Sequence, residues 1–156
     1  MDDLSIPAPG LPDKTVKRRL AAVQELSRSN NPDTVPLLVG ALTDPHPKVR
    51  IEATRALARL DDAAAVPGLV VALDDPEPDV RAGALAALGR LDARDAIEPI
   101  IKCLYDRNEM VRIGAVETLA RLGDGRAVGP VRRLLDDPRS GVREAAERAV
   151  EKMSKK

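Results

Sequence analysis

Aromatic rings are almost missing from this chain: Tyr105 is the single one, with no Phe and no Trp. A core without rings must be built from Ala, Val, Leu and Ile, which suits closely packed helices better than a β-sandwich. Cysteine is reduced to Cys103, so neither an intramolecular disulfide nor a thiolate metal cluster can form. Histidine is also single, His46. Net charge is missing too, because 25 Lys and Arg balance 25 Asp and Glu. That argues against a bulk electrostatic partner such as duplex DNA or an anionic membrane, while leaving room for a local stripe of one sign. No apolar run approaches the ~20 residues of a membrane helix. The opening MDDLSIPAPGLP lacks the basic and apolar regions of a secretory signal, so the cytoplasm is the expected compartment.

What is present is a repeat. The chain of 156 residues is long enough for one domain with a sizeable core. Val49-Arg50 returns as Val80-Arg81, Val111-Arg112 and Val142-Arg143, each 31 residues on. The same period carries Ala53, Ala84, Ala115 and Ala146, and also Leu42, Leu73, Leu104 and Leu135. Asp44, Asp75, Asp106 and Asp137 form a further column. A period in this range is the mark of a stacked array.

Each unit reads as two helices. The first runs from Val35-Pro36 to Leu42 and stops near Asp44-Pro45-His46-Pro47, since proline ends one helix and is welcome in the first turn of the next. The second carries Val49, Ala53, Ala56, Leu57 and Leu60 on one 3.6-residue face. Arg19, Ala22 and Leu26 sit 31 residues ahead of Arg50, Ala53 and Leu57, so residues 13–28 read as a lone leading helix of the second type. The expectation is all-α: an α-solenoid of about nine antiparallel helices, one leading helix plus four pairs, over residues 13–154. Residues 1–12, with three prolines and a glycine, are expected to form a flexible tail.

The stretch LTDPHPKVRIEATRALARLDDAAAVPGLVVALDDPEPDVRAGALAALGRLD resembles HEAT repeats, specifically the short form seen in phycobilisome-lyase-like HEAT proteins. The resemblance covers roughly residues 13–153. It rests on Asp44, Val49, Arg50 and their copies, and on the Ala-rich helix ending Leu88-Gly89-Arg90-Leu91. It implies a superhelix whose second helices line the concave face. The family it points to includes bilin lyases, chaperones, hydroxylases and adaptors. A hydroxylase site of His-Glu pairs cannot be built with one histidine, and a bilin handler would want more rings than Tyr105 supplies. The resemblance therefore implies no cofactor and no metal here.

Several columns are candidates for function. Asp44, Asp75, Asp106 and Asp137, with Arg50, Arg81, Arg112 and Arg143, read as a structural ladder tying repeat to repeat. Arg28, Arg59, Arg90, Arg121 and Lys152 stand in last helical turns, where a cation offsets the dipole; they also form a stripe that could meet an acidic or phosphorylated segment. The concave rim off the core stripe comprises Lys48, Ile51, Arg55 and Arg59, then Asp79, Ala82, Ala86 and Arg90, then Met110, Ile113, Glu117 and Arg121. Gly83 and Gly114 mark either close helix approach or room for a ligand backbone. Glu144, Glu147 and Glu151 replace apolar residues in the last unit and read as a solvated end cap, which favours a monomer. No nucleophile–base set, phosphate cradle or metal spacing is visible. The sequence thus points to a non-catalytic scaffold or adaptor for a protein or peptide, the alternative being a lyase-like or chaperone subunit. With no stacking rings, nucleic acid is not expected as a partner, and neither is a membrane.

Overall fold

A computed structural model describes residues 13–29 and 31–155. The expected tail, residues 1–12, lies outside the described residues. Nine α-helices follow in order: α1 (Asp13–Arg28), α2 (Val35–Ala41), α3 (Pro47–Leu60), α4 (Val66–Ala72), α5 (Pro78–Arg90), α6 (Ile97–Lys102), α7 (Glu109–Leu122), α8 (Val128–Arg133) and α9 (Ser140–Ser154). No strand occurs among the described residues. The architecture is an α-solenoid of one leading helix and four helix pairs.

The two members of a pair differ for local reasons. First helices are brief because a 3-10 turn leads into each of them, at Pro32–Thr34, Ala63–Ala65, Arg94–Ala96 and Gly125–Ala127. Asn31, Asp62 and Asp124 cap three of these turns by accepting an N–H two residues on, at 2.8–3.0 Å. Second helices are longer and start from a Pro or Glu in the first turn in three cases. His46 caps α3 by accepting the Lys48 N–H at Nδ1, 3.3 Å away, and Asn108 caps α7 in the same way. At their ends, Asp61, Asp92 and Gly123 occupy one column and all turn left-handed, with φ of 53°, 47° and 66°.

Burial is continuous from Val23 to Ala149, through Leu38, Leu57, Leu69, Leu88, Ile100 and Leu119. Each such leucine contributes about 1.5–3 kcal/mol by leaving water. The core therefore has no break at which the array would divide. α1, α3, α5, α7 and α9 lie side by side along their length, whereas the first helices meet one another only sparsely, chiefly at the 3-10 turns. A stack in which one row is tight and the other splayed curves toward the tight row. The long helices are thus the inner row.

Small residues permit that tightness. A Cβ on Gly83 would collide with Thr54 Oγ1, and one on Gly114 would sit 3.5 Å from Leu85 Cδ1. Of the two readings of these glycines, close helix approach is the one the packing carries. Between α5 and α7, Thr118 Oγ1 donates to the Leu85 carbonyl at 3.1 Å, inside the core. Cys103 is a small buried hydrophobe whose thiol is pushed up to about 11 by burial, helped by the Asp106 and Asp74 carboxylates.

The left-handed helix ends give a paired test. Gly123→Ala is expected to lose about 1 kcal/mol, since a Cβ is strained at that φ. Asp61→Gly, at an exposed site with the same conformation, is expected to gain roughly 0.5 kcal/mol. Thermal unfolding of both variants should show shifts of opposite sign; shifts in one direction would contradict the strain argument.

Candidate interaction surface

Each turn between helices of a pair is organised by one aspartate. Asp44 Oδ1 accepts the His46 N–H at 2.8 Å, and Asp75, Asp106 and Asp137 do the same two residues on, at 2.9–3.0 Å. Each carboxylate also takes, across both its oxygens, a guanidinium fork from the preceding unit. Arg19 bonds Asp44, Arg50 bonds Asp75, Arg81 bonds Asp106 and Arg112 bonds Asp137, each through Nε and Nη2 at 2.6–3.0 Å. The remaining Nη1 of Arg50, Arg81, Arg112 and Arg143 donates to the carbonyl of the aspartate six residues back, at 2.7–2.8 Å. Every internal arginine therefore grips its own turn and the next.

The partners are not those nearest in sequence. Side by side, Asp44 and Arg50 look like a pair, yet only the Asp44 backbone carbonyl meets Arg50; its carboxylate belongs to Arg19. Arg19 is a member of the ladder that the Val-Arg pattern does not mark, because Arg18 precedes it. Arg143 keeps only its carbonyl contact, with no carboxylate partner among the described residues. The middle pair is nearly dry, the Arg81 and Asp106 side chains being 7% and 12% exposed. Burial pushes the Asp106 carboxyl up, but the Arg81 fork, the Asn108 N–H and the Arg81 charge outweigh it and hold the group below the usual carboxylate value. Asp137 is held low by the Arg112 fork and the Arg139 N–H against the same opposition.

Outside the ladder, the inner row presents the candidate rim. Lys48, Arg55 and Arg59 are exposed on α3, Asp79, Ala86 and Arg90 on α5, and Met110, Glu117 and Arg121 on α7. Met110 is 61% exposed, unusual for a large apolar side chain. Ile51, Ala82 and Ile113 require a correction. They do not stand off the core stripe but are half-buried and packed against the core, because neighbouring inner helices approach closely enough to cover them. They form a floor rather than a rim. Glu144, Glu147 and Glu151 are exposed at the end of the stack.

One feature of the outer row escapes the sequence pattern. Val39, Leu42, Gly68 and Val71 line an apolar cleft of about 600 Å³ between α2 and α4, and Val71 is 69% exposed. The signal was available: Val71 stands in a column otherwise held by Gly40, Lys102 and Arg133. Tyr105 is 60% exposed, receives an Arg133 Nη1 hydrogen at 3.2 Å, and bonds to no inner-row group among the described residues. Among the described residues no cluster of three His, Cys, Asp or Glu could hold a metal, and no helix is long and apolar enough to cross a membrane.

An open row of antiparallel helix pairs, with one face formed by equivalent helices, defines an α-solenoid repeat protein. Its repeats are of a known kind. HEAT repeats match residues 9–73 and 66–151, and the chain belongs to the HEAT-repeat family. Comparison with curated proteins gives no match. Among solved structures, the complex of CpcE and CpcF of phycocyanin lyase from Nostoc sp. PCC7120 is similar at 25% identity and a TM-score of 0.77, covering 96% of this chain and 67% of that one. A designed armadillo repeat protein in complex with the peptide (KR)4 is similar at 22% identity and a TM-score of 0.68, covering 92% and 77%. Human deoxyhypusine hydroxylase follows at 15% and 0.55, covering 96% and 93%. The last two likenesses speak to the fold alone.

Breaking the middle rung should be costly in a way that breaking a surface pair is not. Arg81→Ala is expected to lose about 3–5 kcal/mol, because Asp106 is left charged and covered. Arg55→Ala, which removes an exposed 3.7 Å pair with Glu52, should cost under ~1 kcal/mol. Urea unfolding measures both; equal losses would show that the ladder is not the stronger tie. Because the folded values of Asp106 and Asp137 lie below the ordinary one, their contribution is complete above about pH 4 and drains away as pH falls through the lowered values. Urea midpoints should be level near neutrality with an acid limb below about pH 4 that Arg81→Ala makes shallower; an identical limb in both proteins would count against it.

Proposed function

We propose that the chain is a non-catalytic scaffold that holds a partner protein or peptide on the inner face formed by α1, α3, α5, α7 and α9. The observation that carries this reading is Met110, a large apolar side chain left in water on that face, with exposed Ala86 one repeat before it and the half-buried floor of Ile51, Ala82 and Ile113 beneath. Around this apolar centre stand charged groups of both signs: Lys48, Arg55, Arg59, Asp79, Arg90, Glu117 and Arg121. An apolar centre with a polar rim is the usual anatomy of a recognition patch. Similar solved solenoids support the reading, one being half of a two-protein complex and another holding a peptide. Working as a monomer in the cytoplasm belongs to the same proposal, the acidic cap at Glu144, Glu147 and Glu151 favouring a stack that ends in water.

A second reading is favoured by the likeness to the phycocyanin lyase complex: a lyase-like or chaperone subunit that handles a prosthetic group. Against it stands Tyr105, the single ring available to stack on a tetrapyrrole, which lies with Arg133 of the first-helix row rather than on the inner face.

Met110→Glu combined with Ala86→Glu alters the centre of the patch at two exposed sites. Proteins retained by the wild-type chain on an affinity column should be lost from the variant while its unfolding midpoint stays put; unchanged retention would remove this face from consideration. For the second reading, the outcome to look for is a visible difference spectrum on mixing with a tetrapyrrole. A flat spectrum ends it.

A further inference from the structure

The last-turn cations of the inner row are arranged for more than their helix ends require. Arg28, Arg59, Arg90 and Arg121 stand in the last turns of α1, α3, α5 and α7, each 31 residues from the next, and all four are exposed. Compensating a helix dipole asks only for a positive charge near the last carbonyls, and lysine would serve. Four of the five members of the column are guanidinium groups, whose planar fork suits carboxylates, and the fifth, on α9, is Lys152. Two of the four, Arg59 and Arg121, reach across to the preceding inner helix. A Cβ on Gly89 would sit 3.5 Å from Arg121 Cδ, and Arg59 Nε donates to Ser27 Oγ at 3.0 Å. In both cases the residue underneath is small, so the head group is carried onto the face.

These heads are also short of anions. Arg59 has a long 3.4 Å contact with Glu52, but Arg28, Arg90 and Arg121 have no carboxylate within 4.0 Å among the described residues. Asp92, the nearest acid in sequence to Arg90, is bonded to Arg94 instead, at 3.1 Å. Arg28 and Arg59 open on one polar hollow of about 500 Å³ that they share with Gln24, Ser27 and Glu52. The column is thus a line of guanidinium groups with unused hydrogen-bond donors.

Its spacing selects a conformation. Packed helix axes lie about 8–10 Å apart, and the inner helices pack against one another in sequence along the row. A polyproline II strand has three residues per turn and rises ~3.1 Å per residue, so every third side chain returns to the same side after ~9 Å. A β-strand returns after two residues, or ~6.7 Å, and drifts out of step with the column. We propose that Arg28, Arg59, Arg90 and Arg121 bind an extended acidic segment of a partner protein in the polyproline II conformation, one Asp or Glu carboxylate per repeat at every third position. This rests on the inner face being the partner-binding face, and it names the chemistry of what binds there.

The test is fluorescence anisotropy on the full chain with labelled peptides of about twelve residues. One repeats Glu-Pro-Pro; a second has the same composition with its glutamates clustered at one end; a third repeats Lys-Pro-Pro. A single-stranded oligothymidylate serves as a fourth probe. The repeating acidic peptide should bind about tenfold more tightly than the clustered one, lose affinity as salt rises, and lose about tenfold with Arg90→Glu plus Arg121→Glu. The variant should stay folded, its unfolding midpoint falling only modestly as two helix ends lose their cations, and the lysine peptide should not bind. Equal affinity for the two acidic peptides, indifference to the charge reversal, tighter binding of the oligothymidylate, or no binding at all would each overturn the proposal. A partner captured through Met110 and Ala86 that the charge reversal does not release would leave the scaffold reading standing and remove this one alone.

Discussion

Everything in this molecule depends on a guanidinium group that holds two turns at once. With Nη1 on its own turn and the Nε–Nη2 fork on the next aspartate, an arginine such as Arg81 fixes both the direction and the distance of one repeat relative to its neighbour. Apolar burial alone is non-directional and would let the hairpins slide along one another. Nearly dry bidentate bonds do not slide. The result is a constant step, and a constant step is what turns residues 31 apart in sequence into neighbours in a line.

That translation rule explains why the surface comes in columns, and why changes within a column are informative. Where the inner row must close up, the column offers Gly83 and Gly114. Where stacking stops, apolar members give way to Glu144, Glu147 and Glu151. Where an apolar residue breaks a column of small or charged ones, as Val71 does, a cleft opens beside it. Stability in such a stack is close to additive, since each repeat contacts only its neighbours.

Much of this was legible from the residues. The recurrence of Val-Arg and Asp at one period was enough to place nine helices, because periodic apolar positions and proline punctuation act locally. The ladder residues were legible as a group, but their pairing was not. Arg50 lies six residues from Asp44 and 25 from Asp75, and only the three-dimensional step decides that the more distant carboxylate wins. Arg19 was in register with Arg50, but its fork on Asp44 was not legible, because Arg18 stands where its equivalents are preceded by valine. The exposure of Ile51, Ala82 and Ile113 was overestimated for a related reason: a helical wheel counts the neighbour behind a helix, not the one beside it. Val71 is a different case, an apolar side chain in a column otherwise held by Gly40, Lys102 and Arg133, and it is exposed as that column implies.

Arg143, whose Nη1 meets a carbonyl while its Nε–Nη2 fork has no carboxylate among the described residues, has an evolutionary meaning. An array of this kind lengthens by duplicating its unit, and a newcomer stacked on α9 would find its anchoring arginine already in place, needing only an aspartate at the customary distance. Glu144, Glu147 and Glu151 are exposed on the same helix, so such a newcomer would also have to cover three carboxylates.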